Sequence, residues 1–468
     1  MIRRYKTALP GLTALIKEKR VALIGLGRTH KPLVRFFLSL GAKSVTARDK
    51  KDAPRPDLSK DGATLVLGES YLDELTEDVI LRTPAIRPDT PELLAAQKRG
   101  ALVTSEMELF LAFCPCPVYG ITGSDGKTTT STLTAKLLEA SGKQVFLGGN
   151  IGTPLLDRLG EIKPIDACVV ELSSFQLMGM RVSPEVCTVT NLSENHLDWH
   201  RDMDEYYDAK TSIFQNQEAG DLAVFNADCG YTRAMAEEAK GRVRFFSRKT
   251  PVKNGTSCHT DDNIFFFADG EAEPCFSREE ILVPGDHNLE NYLAAIAATR
   301  DVVSTASALS VARSFAGVAH RMELVGIVGG VRYYNSSIDS SPARSTATLK
   351  AFKKKPIVIM GGYDKQLNYA PLAPILTEHA KAIVLTGQTA QKIDAALASY
   401  APFADSQIRV FREESFEGAF LRAASLAKEG DLVLLSPASA SFDQFRDFEE
   451  RGEVFRALTK RLEEQYGL

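Results

Sequence analysis

The chain has 468 residues, 44% of them apolar, and a formal net charge of −4 from 56 Lys and Arg against 60 Asp and Glu. That near balance supplies no basic field for wrapping a polyanion, and no run of about 18 apolar residues offers a membrane span, so neither nucleic acid nor a membrane is an expected partner. The length fits about three domains, and seven scattered cysteines with no apolar leader behind Met1-Ile2-Arg3-Arg4 point to a reducing, cytoplasmic setting.

From Val21 to about residue 113, short apolar runs (Val21 to Ile24, Thr64 to Leu67, Val79 to Leu81) alternate with helical patterns, the signature of an open parallel α/β sheet. Gly25-Leu26-Gly27 follows the first run, and Asp49 lies near the end of the second βα unit, as in a dinucleotide-binding fold. His30 stands where that fingerprint has its third glycine, which weakens the case for nicotinamide and leaves another phosphate-bearing nucleotide as the candidate. Cys114-Pro115-Cys116 is too tight for a zinc knuckle and has no second pair, so the cysteines read as core or linker residues.

The segment from about 114 to 319 opens with the sharpest signal in the chain. Pro117-Val118-Tyr119 leads into Gly120-Ile121-Thr122-Gly123-Ser124-Asp125-Gly126-Lys127-Thr128-Thr129-Thr130, which reads as a strand, a phosphate loop and a helix start. Backbone N–H groups from Gly123 to Thr129 would face phosphate oxygens, Lys127 would reach the outer phosphates, and the Thr128 hydroxyl would hold Mg²⁺. The spacing departs from the strict Walker form, because Ile121 stands where a glycine is usual.

Runs at Ala167 to Val170 and Val186 to Thr190 read as further strands, with polar residues crowded at their ends, where an open α/β sheet binds ligands. Glu171 is a hard oxygen donor suited to Mg²⁺, or a helix-capping acid. His196, within Asn191 to Asp198, could orient water, phosphate or a metal, or serve as a structural histidine. Lys210 reads as a solvated helix lysine; partly buried, with a lowered pKa, it could instead react with CO₂ to give a carbamate able to hold a hard cation. Ile264 to Phe267, before Asp269-Gly270, looks like an antiparallel hairpin arm, and a helix after Gly285-Asp286-His287-Asn288 closes the segment.

From about 320 to 468 the α/β rhythm returns at Ile357 to Met360, Ala382 to Leu385 and Leu432 to Leu435, without a phosphate loop. Arg321 stands at the junction, either as an arginine finger or in a salt bridge. Gly361-Gly362-Tyr363-Asp364-Lys365 and Ser436 to Asp443 follow strands and look like a pocket for a carboxylate-bearing second substrate.

Together these blocks resemble the Mur ligase family over essentially the whole chain. The resemblance is carried by Thr122 to Thr129, Gly149-Asn150-Ile151-Gly152, Glu171-Leu172-Ser173-Ser174-Phe175-Gln176, Asn191 to His196, Gly285 to Asn291, His320-Arg321 and Leu435 to Phe445. It implies an α/β protein of three domains: a Rossmann-like domain at 1–113 for a UDP-linked substrate, a P-loop ATPase-like domain at 114–319, and a Rossmann-like amino-acid domain at 320–468. The last block, with Phe445, Phe448 and Arg451-Gly452, is similar to the branch that adds D-glutamate to UDP-N-acetylmuramoyl-L-alanine through an acyl phosphate, in peptidoglycan precursor synthesis.

By position, the family implies ATP and Mg²⁺, two ions being expected, on Lys127, Thr128, Glu171 and His196, with Lys210 as the carbamylated lysine. Asn288, Asn291 and Arg321 match nucleotide contacts. Gly25, Leu26, Gly27, Arg28, Thr29, Asp49, Thr83 and Pro84 match the uridine diphosphate region, and Asn150 the muramoyl-alanine end. Ser340, Lys365, Ser441 and Phe442 match the second-substrate side, and a monomer is expected. Two positions depart from the pattern: His30 replaces a glycine, and Ser336 stands where the family shows an Asp, with Asp339 nearby. A sister ligase, a folylpolyglutamate synthase-like ligase and a non-catalytic nucleotide sensor are the alternative readings.

Overall fold

The computed structural model describes residues 3–27, 29–194, 199–258 and 262–465. Arg28 and His196, both named above as candidate site residues, lie outside them.

The first sheet contains β1 (Arg20–Ile24), β2 (Ser44–Asp49), β3 (Thr64–Leu67), β4 (Val79–Arg82) and β5 (Leu102–Thr104), all parallel in the order β3-β2-β1-β4-β5. Its strands read as continuous apolar runs because both faces are covered. Val21, Leu23, Val79 and Leu81 enter one core, while Ala22, Ile24 and Ile80 enter another. β2 breaks that pattern and escapes a hydrophobicity reading: Arg48 lies within it, buried, its guanidinium donating to Glu77 and to the carbonyls of Tyr71 and Asp73. The strand order reverses between β1 and β4, so the crevice of this sheet opens where Gly25 and Thr83 follow those strands.

The second sheet holds β6 (Val118–Thr122), β7 (Val145–Gly149), β8 (Ala167–Glu171), β9 (Val186–Val189), β10 (Leu222–Asn226), β11 (Arg242–Ser247), β12 (Gly255–Ser257), β13 (Asn263–Ala268) and β14 (Glu271–Ser277), in the order β14-β13-β12-β11-β10-β9-β6-β8-β7. β6 sits between β8 and β9, all parallel, so the turns after Thr122, Glu171 and Val189 emerge side by side. β12, β13 and β14 pair antiparallel as the arm expected around Asp269-Gly270.

The third sheet is β15 (Glu323–Val328), β16 (Val331–Asn335), β17 (Ile357–Met360), β18 (Ala382–Leu385), β19 (Arg409–Arg412) and β20 (Leu432–Leu435), ordered β15-β16-β20-β17-β18-β19. Alternate residues feed opposite cores: Val358, Met360 and Leu434 go one way, Ile357, Ile359, Val433 and Leu435 the other. The β15–β16 hairpin is antiparallel.

Two compact units result, Met1–Arg278 with Glu290–Val311, and Glu279–Leu289 with Ala312–Leu468. The first two sheets share one unit because a single apolar core runs from Leu23 and Phe37 through Phe110 and Phe113 to Val170 and Ile213. No helix among the described residues is long and apolar enough to cross a membrane.

Candidate active site

Gly123 to Gly126 join the end of β6 to the helix Lys127–Ala140. Gly126 caps that helix at φ 78°, a left-handed conformation that favours glycine, and a Cβ there would collide with Asn291 Oδ1. Neighbouring strands hold the loop in place. Thr190 Oγ1 donates to the Asp125 carbonyl at 2.6 Å, Asn191 Oδ1 accepts from the Asp125 N–H at 2.8 Å, and Ser124 Oγ shares a 3.0 Å hydrogen bond with Tyr206 Oη. Thr130 Oγ1 donates to Asn291 Oδ1 at 3.1 Å, which fastens the helix start to Asn291; Thr129 is buried beside it. Such a loop presents N–H groups and a helix N-terminus to an anion.

Beside the loop, Glu171 ends β8 and is buried. Its Oε2 accepts from Thr128 Oγ1 and its Oε1 from Asn150 Nδ2, both at 2.8 Å. Three residues separated in sequence thus meet at one sheet edge, with a carboxylate and a hydroxyl facing each other. Lys127 Nζ lies over the loop, donating to the carbonyls of Gly123 and Ser124 at 2.9 Å each.

Lys210, on the helix Met203–Gln215, is 1% exposed, more deeply buried than a solvated or partly buried lysine. Its ammonium donates to Gly123 O at 2.9 Å and Thr122 Oγ1 at 3.2 Å, and lies 4.8 Å from the centre of the Tyr206 ring. Burial pushes its pKa well below the usual lysine range, and the positive charge of Lys127, which shares the Gly123 carbonyl, pushes the same way. Tyr206 and Thr190 were not candidates on sequence; the available signal for Tyr206 was its i, i+4 spacing from Lys210, which puts both on one helix face. His200 is buried and shares a 2.9 Å hydrogen bond with Ser174 Oγ, which gives it a packing role.

At the crevice of the first sheet, Asp49 Oδ2 accepts from the Leu26 N–H at 2.7 Å, and a Cβ on Gly25 would stand 2.5 Å from Thr83 Oγ1. Gly27 is exposed, with open space where a side chain would be. A cavity of about 50 Å³ there is lined by Thr29, His30, Thr83, Pro84 and Glu106, among others. His30 is buried under the loop, and burial lowers its imidazole to about 4, partly offset by the backbone of Gly25 and Ile24. Burial raises the Glu106 carboxyl to about 7, opposed by the N–H of Leu156 at 3.1 Å.

In the second unit, β17 and β20 end side by side. Tyr363 N–H donates to Ala440 O at 2.9 Å, the Tyr363 and Phe442 rings meet at 5.8 Å, and Lys365 Nζ lies 5.5 Å from the Phe442 ring centre. Ser441 is buried beneath them, and Phe442 is 57% exposed. Buried Arg451 ties the turn down, donating to the carbonyls of Ser439, Ala440 and Ser337. Asp339 turns inward, accepting from Ser436 Oγ at 2.8 Å, and burial raises its pKa, with Ser336 and Thr348 as further hydrogen-bond partners. Ser340 is half-buried and follows it; Asn288 Nδ2 donates to Pro284 O at 2.6 Å, and half-buried Arg321 precedes β15.

Residues 121–299 match the Mur ligase middle domain, and residues 320–439 match the Mur ligase, glutamate ligase domain. The chain is 46% identical over 466 residues to the UDP-N-acetylmuramoylalanine–D-glutamate ligase of Acetivibrio thermocellus, covering 98% of this chain and 99% of that one. It is 46% identical to the enzyme of the same name from Clostridium perfringens, over 96% and 98% of the two chains. Among solved structures, the UDP-N-acetylmuramate–alanine ligase of Thermotoga maritima superposes with a TM-score of 0.55 at 20% identity, covering 96% of this chain and 99% of that one, which reflects the shared fold. With two family domains matched and relatives this similar along nearly its whole length, the chain belongs to the Mur ligase family.

Proposed function

We propose that the chain is an ATP-dependent amide ligase that joins D-glutamate to UDP-N-acetylmuramoyl-L-alanine. One conjunction supports this reading: Thr128, Asn150, Glu171 and Lys210 gather on a single phosphate loop in a chain 46% identical to a relative named for that reaction. The Thr128 hydroxyl and Glu171 carboxylate are hard oxygen donors, which fits Mg²⁺. Bound there, the ion would supply charge neutralisation at the transferring phosphoryl group.

The loop N–H groups and Lys127 would hold the ATP phosphates. The carboxylate of the UDP-linked substrate attacks the γ-phosphorus, the bond to ADP breaks, and an acyl phosphate forms. The neutral amine of D-glutamate then adds to the acyl carbon and gives up a proton, and inorganic phosphate leaves as the amide forms. Lys127 would meet the negative charge that grows on the phosphoryl oxygens, a service worth several kcal/mol when preorganised.

Lys210 is assigned the carbamate. Burial lowers the pKa of this amine, which favours the neutral form that reacts with CO₂; that form makes the N–C bond and releases one proton, and the resulting anion, with Glu171 and His196, would serve a second Mg²⁺. Asn288, Asn291 and Arg321 are assigned to the nucleotide. Gly25, Leu26, Gly27, Arg28, Thr29, Asp49, Thr83 and Pro84 are assigned to the uridine diphosphate, Asn150 to the muramoyl-alanine end, and Ser340, Lys365, Ser441 and Phe442 to the amino-acid side. We propose domain limits of 1–113, 114–319 and 320–468 and a cytoplasmic monomer.

The test is phosphate release from purified protein with ATP, Mg²⁺ and UDP-N-acetylmuramoyl-L-alanine, comparing D-glutamate with L-glutamate, L-lysine and diaminopimelate. Turnover with D-glutamate alone supports the reading. Turnover with another amino acid moves it to a sister ligase, and no turnover with any favours a nucleotide sensor.

A further inference from the structure

Three cysteine sulfurs from separate parts of the first unit meet in its interior. Cys114 caps the helix Glu106–Phe113, Cys116 lies just before β6, and Cys168 is the second residue of β8; each is at most 1% exposed. Strand pairing arranges the meeting. Val118 stands opposite Cys168 across β6 and β8, and the Cys168 N–H donates to the Pro117 carbonyl at 3.1 Å. The Sγ–Sγ separations are 3.6 Å for Cys114–Cys116, 3.6 Å for Cys114–Cys168 and 3.4 Å for Cys116–Cys168. Cys114, Cys116 and Cys168 are core residues, and the sheet delivers a third thiol to Cys114-Pro115-Cys116 from more than fifty residues away.

The geometry favours an ion at the centre. A triangle with these edges has its corners about 2.0 Å from its centre, against about 2.3 Å for a metal–thiolate bond. Each sulfur would need to move outward by only about 0.3 Å. Among the described residues no imidazole or carboxylate joins the cluster, so the donors are three soft sulfurs. Mg²⁺ and Ca²⁺ prefer oxygen, and a structural Zn²⁺ would be one ligand short of its tetrahedron, whereas Cu(I) is selected by thiolates.

We propose that Cys114, Cys116 and Cys168 form a buried three-sulfur site for a soft monovalent metal ion, Cu(I). Binding makes three Cu–S bonds in exchange for three S–H bonds and releases three protons to solvent; copper stays monovalent and no electron moves. The site lies at the edge of the second sheet where β6 and β8 begin, opposite the edge where the phosphate loop and Glu171 stand. An occupied site would clamp the segment between Phe113 and Val118 onto β8.

The experiment titrates the reduced, metal-free full chain with Cu(I) in competition with bathocuproine disulfonate, and in parallel with Zn(II) against a chromogenic chelator. We expect one Cu(I) retained per chain, an X-ray absorption spectrum with three sulfur neighbours at about 2.3 Å, and a higher Tm with copper than without. Cys116→Ser and Cys168→Ser should each weaken retention by roughly 100-fold or more, since a lost ligand exceeds the loss of an outer-shell partner. Cys187→Ser, on neighbouring β9, should leave it unchanged. Cys168→Ala keeps the site apolar, and its copper-free Tm separates loss of a ligand from loss of fold. The proposal is overturned if all copper passes to the chelator, if fewer than three sulfurs surround it, if Cys187→Ser weakens binding as much, or if Zn(II) with a nitrogen or oxygen ligand is preferred. None of these readouts depends on ligase turnover.

Discussion

Lys127 and Lys210 both donate to the Gly123 carbonyl, so two lysine side chains converge on one point of the loop where an anion belongs. Their roles separate by burial. Lys127 is half-buried and able to meet a phosphate, and Lys127→Ala is expected to lower kcat by about 10²–10³-fold with an unchanged far-UV spectrum, checked by phosphate release and circular dichroism. Lys210 is buried, and its pKa in the fold lies well below the ordinary 10.5. Between those two values the unfolded chain binds more protons than the folded one, so stability rises with pH across that window. Lys210→Met should therefore raise the Tm at neutral pH by ~2–4 °C in CO₂-free buffer, flatten that slope, and abolish ligation. Scanning calorimetry across pH beside a turnover assay checks it; a fall in Tm would contradict the burial argument.

Helix starts carry the next level of organisation. The helix Lys127–Ala140 begins on a left-handed glycine pressed against Asn291. Gly126→Ala should shift the loop enough to cost roughly 10²-fold in kcat/KM, as misplacements of about 1 Å do. Phosphate release at varied ATP concentration checks it, and an unchanged kcat/KM would mean that the loop absorbs the strain. The helix Glu106–Phe113 begins on a buried carboxyl raised to about 7. Here the folded state holds its proton more tightly than the unfolded chain, so stability is highest below about 4.5, falls as pH rises, and levels off above about 7. The loss across that window is about 3 kcal/mol. Glu106→Gln keeps an acceptor for the Leu156 N–H and should remove most of this dependence, measured as urea midpoints from pH 4 to 8.

At the scale of the whole molecule, the core shared by the first two sheets should make them unfold together, and the third sheet separately. Calorimetry of the ligand-free protein should resolve two transitions; three would mean that the shared core does not couple the sheets. Much of the architecture was legible because parallel strands covered on both faces are unbroken apolar runs, as at Ile357 to Met360, and because a phosphate loop is a local device written in contiguous residues. β2 was not legible as a run, since Arg48 is buried there by an ion pair with Glu77, and the β15–β16 hairpin was not anticipated. The sequence by itself determined the family, the α/β class and the loop at Gly123 to Thr128, because those signals lie in short stretches of chain. Only the tertiary structure decided that Lys210 is fully buried, that Thr190 and Tyr206 hold the loop, and that Cys168 reaches Cys114 and Cys116. Burial and strand pairing are set by residues far apart in the chain, and no local spacing encodes them.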